Sequence, residues 1–254
     1  MADTLMELGA RPATGALLQA AGLSKRFGGL QVLSDVEFSL RPGEAVGIVG
    51  PNGAGKTTFL SVLVGAHAPS TGSIRFAGED ITALPAPERC RRGLVRTHQI
   101  PRPFSGMTIF ENVLTAAANG GGLNGAAAGE RALAALEASG MLSLSNRKAE
   151  TLGLLDRKRL ELARALATGP SVLLLDEIGG GLTDAEADEL VAIIRRVRSR
   201  GVAIIWIEHI VHVLLQVAER LICMDGGRII ADGAPEAVMR HPAVIKAYLG
   251  GGVQ

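Results

Sequence analysis

The chain has 254 residues, of which 47% are hydrophobic and 20% charged, with a formal net charge of +1. That excludes a mainly disordered protein, and it excludes a global electrostatic field able to hold nucleic acid, so a polyanion would need a local basic patch. The length fits one large domain, or one domain carrying an insertion.

The first sixteen or so residues read as a loose tail. Asp3 and Glu7 stand where a signal peptide would carry basic residues, so no export signal is read. From about Leu17, short aliphatic runs alternate with helical stretches, the pattern of an α/β domain with a largely parallel sheet. Glu44 to Val49 is a buried strand ending in a glycine-rich turn that gives way to a helix from about Lys56 to Val64.

The turn Gly50-Pro51-Asn52-Gly53-Ala54-Gly55-Lys56-Thr57-Thr58 fits G-x-x-x-x-G-K-[ST] in the strand-turn-helix context that gives this pattern meaning. Glycines let backbone N–H groups turn inward around a triphosphate, and the helix N-terminus adds partial positive charge. Lys56 is placed to reach the β/γ-phosphates and the Thr57 hydroxyl to hold Mg²⁺.

Arg89, Arg91, Arg92, Arg96 and Arg102 form a basic cluster read mainly as a solvated face, with docking against an acidic loop of a partner as the other possibility. Between Met107 and Gly153 the strand signal gives way to alanine-rich helical pieces, read as an inserted helical subdomain, 104–157, with a flexible break at Gly120, Gly121, Gly122 and Gly125. Ser171 to Leu175 is another buried strand, closed by Asp176 and Glu177. Beside a phosphate loop, the first acid can hold Mg²⁺ through water and the second can orient an attacking water.

Arg195, Arg196, Arg198 and Arg200 fall late in a helix, where its dipole favours cations. Val202 to Ile207 is a third buried strand, ending near His209, which is placed to contact a γ-phosphate. The apolar stretch 202–224 is broken by Glu208, His209, His212, Gln216, Glu219 and Arg220, so it does not span a membrane. Leu221 to Ile230 reads as a hairpin around Asp225-Gly226-Gly227, followed by helices ending near Leu249. Cys90 and Cys223 sit in no metal-ligand spacing and are read as reduced thiols.

In order along the chain these motifs resemble those of the ATP-binding subunits of ABC transporters, from about Leu17 onward: Gly50–Thr57 resembles Walker A and Val172–Asp176 Walker B. The resemblance implies a P-loop NTPase core with a mostly parallel sheet, an antiparallel β part and the helical insertion, in one ATPase domain over 17–254. It implies Glu177 as the catalytic glutamate, Gln99 in Arg96-Thr97-His98-Gln99 as the glutamine sensing Mg²⁺ and γ-phosphate, and His209 as the switch histidine. By the same resemblance Phe27 stacks on adenine and Gly180–Thr183 is the D-loop. ATP and Mg²⁺ are the implied ligands, with Thr57, Gln99 and Asp176 on the metal.

The phrases KRFGGLQVLSDVEF, RTHQIPRPFSGMTIFENV, IEHIVHVL and HPAVIKAYLG resemble the ATPases of branched-chain amino-acid importers and their urea and amide relatives. This implies a separate integral-membrane permease, an extracytoplasmic solute-binding protein and a peripheral position on the cytoplasmic face of the membrane. A lipopolysaccharide-export ATPase is the alternative within the class. A soluble ABC ATPase acting on nucleic acid or ribosomes is the alternative outside it, disfavoured by the near-neutral charge and the absence of a second ATPase half.

One departure stands out. The family's signature Leu-Ser-Gly-Gly-Gln aligns with Leu152-Gly153-Leu154-Leu155-Asp156, in a register fixed by the following Arg157 to Leu166, and only the leucine survives. In the family this motif contacts the γ-phosphate of ATP on the opposite subunit. Losing one such donor costs about 2.7–4 kcal/mol of transition-state stabilisation. The expectation is a heterodimer whose second ATPase subunit supplies a proper signature, and weak turnover by this chain alone.

Overall fold

The computed structural model describes residues 15–250, so the expected tail lies outside the described residues except for its last two positions. Two sheets organise the chain. The first is antiparallel, in the order β2-β1-β4-β5, from β1 (Leu18–Phe27), β2 (Leu30–Leu40), β4 (Thr71–Phe76) and β5 (Glu79–Asp80). The second has the order β10-β9-β3-β8-β7-β6, from β3 (Ala45–Val49), β6 (Leu94–Arg96), β7 (Val172–Asp176), β8 (Ala203–Ile207), β9 (Arg220–Asp225) and β10 (Arg228–Gly233). Its pairings are parallel except at the β9–β10 hairpin.

Every residue of β3, β7 and β8 is buried, because both faces of this sheet are covered. Strand alternation divides their side chains between two cores. Leu173, Leu175, Ile204 and Trp206 point into one, and Val172, Leu174, Ile205 and Ile207 into the other. The second core is closed by the antiparallel sheet and by helix α1 (Lys56–Leu63), through Phe59, Leu60 and Leu63 packed with Leu33, Phe38 and Ile74.

Short α2 (Ala86–Arg91) leads into β6. The expected helical region is α3 (Ile109–Asn119) and α4 (Gly125–Ala138), broken where the glycines predict it, then two 3-10 turns and α5 (Leu154–Ala167). In α4 the buried Ala128, Ala132, Ala135 and Leu136 share one face at helical spacing. They belong to the same core as Leu173 and Ile204, so α3 and α4 do not have a core of their own. α6 (Asp184–Ser199) covers this face of the sheet, followed by α7 (Val211–Leu215), α8 (Pro235–Met239) and α9 (Pro242–Gly250).

The three buried strands and the hairpin agree with the sequence reading. β1, β2 and β4 were not placed by the sequence reading, in which the family resemblance implied only an antiparallel β part, since strands with one exposed face show no continuous apolar run.

α3 and α6 start with the same device. The Thr108 and Thr183 hydroxyls accept the amides of Glu111 and Glu186, whose carboxylates accept back from the threonine amides. These bonds hold both glutamates below their ordinary value of 4.5. A lowered carboxyl stabilises the fold above the unfolded value, and that contribution is lost as pH falls through the lowered native one. The double variant Glu111→Gln, Glu186→Gln is expected to flatten the fall in urea midpoint between about pH 5 and pH 3 relative to the parent. Thr108→Ala is expected to cost about 1 kcal/mol at neutral pH, read from the same melts.

Candidate functional site

The carboxyl ends of the parallel strands converge on one edge, where an open α/β sheet presents its ligand site. β3 runs out at Val49 into the glycine-rich turn, and α1 begins at Lys56. Gly50 has φ 144°, and a Cβ there would lie 2.1 Å from the Met224 carbonyl oxygen, so the backbones approach too closely for any side chain. Gly55 is left-handed at φ 97° and abuts the Val32 carbonyl, while the Gly227 amide donates to Ala54 O at 3.1 Å. Strand β2 and the β9–β10 turn therefore brace the loop from two sides. Asn52, Gly53 and Thr57 are exposed, Pro51, Gly55 and Thr58 partly so, and Ala54 is buried. No acid lies in the first turn of α1 to cancel its positive end.

Lys56 is buried, and its ammonium donates to the carbonyls of Gly50 (2.7 Å) and Pro51 (2.9 Å), spanning the loop. Burial pulls its pKa down, opposed by the negative charges of Glu177 and Asp176. Asp176, at the end of β7, is fully buried. The Thr57 hydroxyl donates to Asp176 Oδ1 at 3.5 Å, while Oδ2 takes an ion pair from Arg96.

Glu177 follows in a left-handed conformation, φ 49°, uncommon for a residue with a side chain. Its amide donates to Ile207 O at 2.9 Å, which fixes the turn. Its carboxylate lies between two residues that the sequence reading assigned to the phosphate and metal instead: His209 Nε2 is 2.7 Å from Oε1, and Gln99 Nε2 donates to Oε2. Gln99, Glu177 and His209 are held after β6, β7 and β8, so adjacent parallel strands deliver all three.

Phe27 ends β1, exposed on one face, edge-on to His67 with ring centroids 5.1 Å apart and with Lys25 Nζ 4.8 Å from its centroid. In the segment 152–156, Gly153 caps α5 without a side-chain acceptor, and Asp156 faces Arg159 at 3.4 Å. Leu154 is exposed beside Gly181 of the predicted D-loop.

The basic cluster is not a uniform solvated face. Arg89 is buried and donates to the carbonyls of Val62, Leu63, Thr82 and Leu84, which tie α1 to α2. Arg96 is turned inward onto Asp176, whereas Arg91, Arg92 and Arg102 are exposed. Arg96 follows Leu94 and Val95 on a buried strand, the sequence signal that separates it from its neighbours. Two further residues had no signal. Glu208 is buried and accepts the amides of Gly179 (2.9 Å) and His209 (3.0 Å), and the Tyr248 hydroxyl accepts the Gly50 amide at 2.9 Å.

The donor set fits a magnesium nucleotide. Among the described residues no group of three His, Cys, Asp or Glu side chains converges to hold a metal alone. Thr57 and Asp176 together offer the one hydroxyl and one carboxylate that Mg²⁺ takes when phosphates and waters fill its other positions.

Fold and site together define a P-loop nucleotide-binding protein. The family model "ABC transporter" matches residues 33–179, and the model "Branched-chain amino acid ATP-binding cassette transporter" matches 228–254. The chain belongs to the ATP-binding subunits of ABC transporters, a family of ATPases. It is 38% identical to the high-affinity branched-chain amino acid transport ATP-binding protein BraF of Pseudomonas aeruginosa and 37% identical to LivG of Escherichia coli. Each match spans 249 residues, 92% of this chain and 98% of the relative. The lipopolysaccharide export ATP-binding protein LptB of Haemophilus influenzae is 35% identical over 234 residues, 92% of this chain and 97% of that protein. A crystal structure of an ABC transporter cassette in its ADP conformation superposes with a TM-score of 0.84 at 30% identity, covering 93% of this chain and all of the other.

Gly50→Ala is expected to weaken ATP binding at least about tenfold and to lower the melting temperature, because the added methyl meets a backbone carbonyl that cannot swing aside. Calorimetric titration and a thermal melt measure both effects.

Proposed function

We propose that this chain is the ATP-hydrolysing subunit of an importer for branched-chain amino acids or related small polar solutes, working at the cytoplasmic face of the membrane with a separate permease and an extracytoplasmic solute-binding protein. Residues 17–254 act as one ATPase domain with 104–157 as its helical insertion. The observation that carries the reading is the Glu177 carboxylate held between Gln99 and His209 next to the Thr57–Asp176 pair. The names of the curated relatives and the C-terminal family match support the solute class. Among the described residues no helix is long and apolar enough to cross a membrane, which is compatible with a peripheral subunit.

The loop amides of 50–58 cradle the polyphosphate, Lys56 exchanges its carbonyl partners for β/γ-phosphate oxygens, and Phe27 packs against adenine. Thr57, Asp176 and Gln99 would hold the magnesium ion, which would supply charge neutralisation at the β- and γ-phosphates. Glu177 polarises the water for in-line attack on the γ-phosphorus, the bond to the β–γ bridging oxygen breaks so that ADP and phosphate leave, and His209 and Gln99 keep the carboxylate aimed.

The divergent segment 152–156 damages the partner's nucleotide site rather than this chain's own. Gly153 offers no hydroxyl, and Leu154 and Asp156 bring bulk and charge toward a polyanion. A second ATPase subunit with an intact signature therefore completes this chain's site, leaving one active and one impaired site per heterodimer.

Purified alone, the protein is expected to bind ATP yet turn it over slowly, and mixing with the second subunit raises the rate about 10²–10³-fold, read by phosphate release. Brisk hydrolysis by a homodimer at saturating ATP would remove the need for that partner. Glu177→Gln is expected to trap ATP in a closed dimer with its partner, visible by gel filtration, and parental turnover in this variant would mean that another group orients the water. Lys56→Ala should abolish or greatly weaken nucleotide binding. Co-purification with an amino-acid permease, rather than a lipopolysaccharide-export permease, decides the solute class.

A further inference from the structure

A closed polar ring lies behind the phosphate loop. The Thr57 hydroxyl donates to Asp176 Oδ1 at 3.5 Å, Arg96 pairs with Asp176 Oδ2 and donates through Nη1 to Ser61 Oγ at 2.7 Å, and the Ser61 hydroxyl donates to the Thr57 carbonyl at 2.7 Å. Asp176 has no solvent exposure, and the Arg96 side chain has 14%. Each carboxylate oxygen thus has its own task. Oδ1 faces Thr57 and the phosphate loop, whereas Oδ2 is occupied by the Arg96 guanidinium. Arg96 Nε is buried without an acceptor, a cost the side chain bears to deliver its outer nitrogens to Asp176 and Ser61.

The local charges balance only because of this residue. Lys56 and Arg96 oppose Asp176 and Glu177, while buried Lys158 lies near Glu208 as well as Glu177. Without Arg96, the ground behind the loop would carry an uncompensated, fully desolvated carboxylate facing the incoming polyphosphate. In a buried site that repulsion is only weakly screened.

We propose that Arg96 is a resident counter-cation for Asp176: it neutralises the metal-binding carboxylate so that the loop accepts the nucleotide polyphosphate before, or without, its magnesium ion. It acts through Asp176 and is a positioning residue, not a catalytic one. The inference rests on the assignment of 50–58 and Asp176 to the nucleotide site.

The test is calorimetric titration of the full chain with adenylyl imidodiphosphate, once in EDTA and once with excess magnesium chloride. The parent is expected to bind the metal-free nucleotide within about a hundredfold of the magnesium complex, and a wider gap overturns the proposal. Arg96→Gln is expected to weaken metal-free binding at least about tenfold while changing magnesium-nucleotide binding less than about threefold. A loop merely distorted by the substitution would weaken both alike, and that result, or unchanged metal-free binding, rejects the counter-cation role.

Because Arg96→Gln leaves a buried carboxylate unpaired and can fail to fold, two further variants are measured. Arg96→Lys keeps the charge, and the double variant Arg96→Gln, Asp176→Asn removes both charges. Metal-free affinity within about threefold of the parent is expected for each, and a loss of more than about tenfold in either overturns the proposal. A parent that binds neither form of the nucleotide would instead overturn the site assignment itself.

Discussion

The parallel register of four adjacent strands governs the functional edge of this molecule. Val46 is level with Ile205, Ile205 with Leu174, and Leu174 with Arg96, so the strands end nearly together and release their polar residues into one small volume. A slip of one residue in any strand would turn its side chains to the opposite face. The apolar alternation forbids this, because Leu173 and Trp206 would exchange cores with Leu174 and Ile205. The chemistry at the edge is therefore positioned by hydrophobic packing below it, and the long-range pairing of 94–96, 172–176 and 203–207 brings Gln99, Glu177 and His209 together.

A second constraint is electrostatic. Burial makes each charge at this edge costly unless it is paired, and the structure meets the requirement with specific geometry. Asp176 is matched by Arg96, Glu177 by Gln99 and His209, and Glu208 by two backbone amides. Gly179 belongs to the same solution: a Cβ there would lie 2.8 Å from Glu208 Oε2, so glycine leaves the carboxylate the room in which it meets that amide. Compensation of this kind holds the groups in place before any ligand arrives.

Much of this was legible in the sequence where local rules suffice. The phosphate loop announces itself because its glycines answer a backbone requirement, and Gly50 and Gly55 do occupy conformations and spaces that exclude side chains. The buried strands were legible because both of their faces are apolar. Arg96 was not. An arginine among arginines looks like surface, and although Leu94 and Val95 hint at a buried strand, it takes the pairing of β6 with β7 to show that this one faces a buried acid while Arg92 meets Glu79 on the exterior. Glu208 was hidden likewise, since its partners are backbone amides that no side-chain pattern encodes. Phe27, Gln99 and His209 were assigned to the site through family motifs; their spacing alone carried little.

The bond from the Gly50 amide to the Tyr248 hydroxyl joins two points nearly two hundred residues apart, one at the first bend of the nucleotide loop and the other close to the end of the chain. α9 is thereby a strut whose far end reports on the start of that loop. A displacement of this helix would therefore be felt first at Gly50, the residue on which the loop turns.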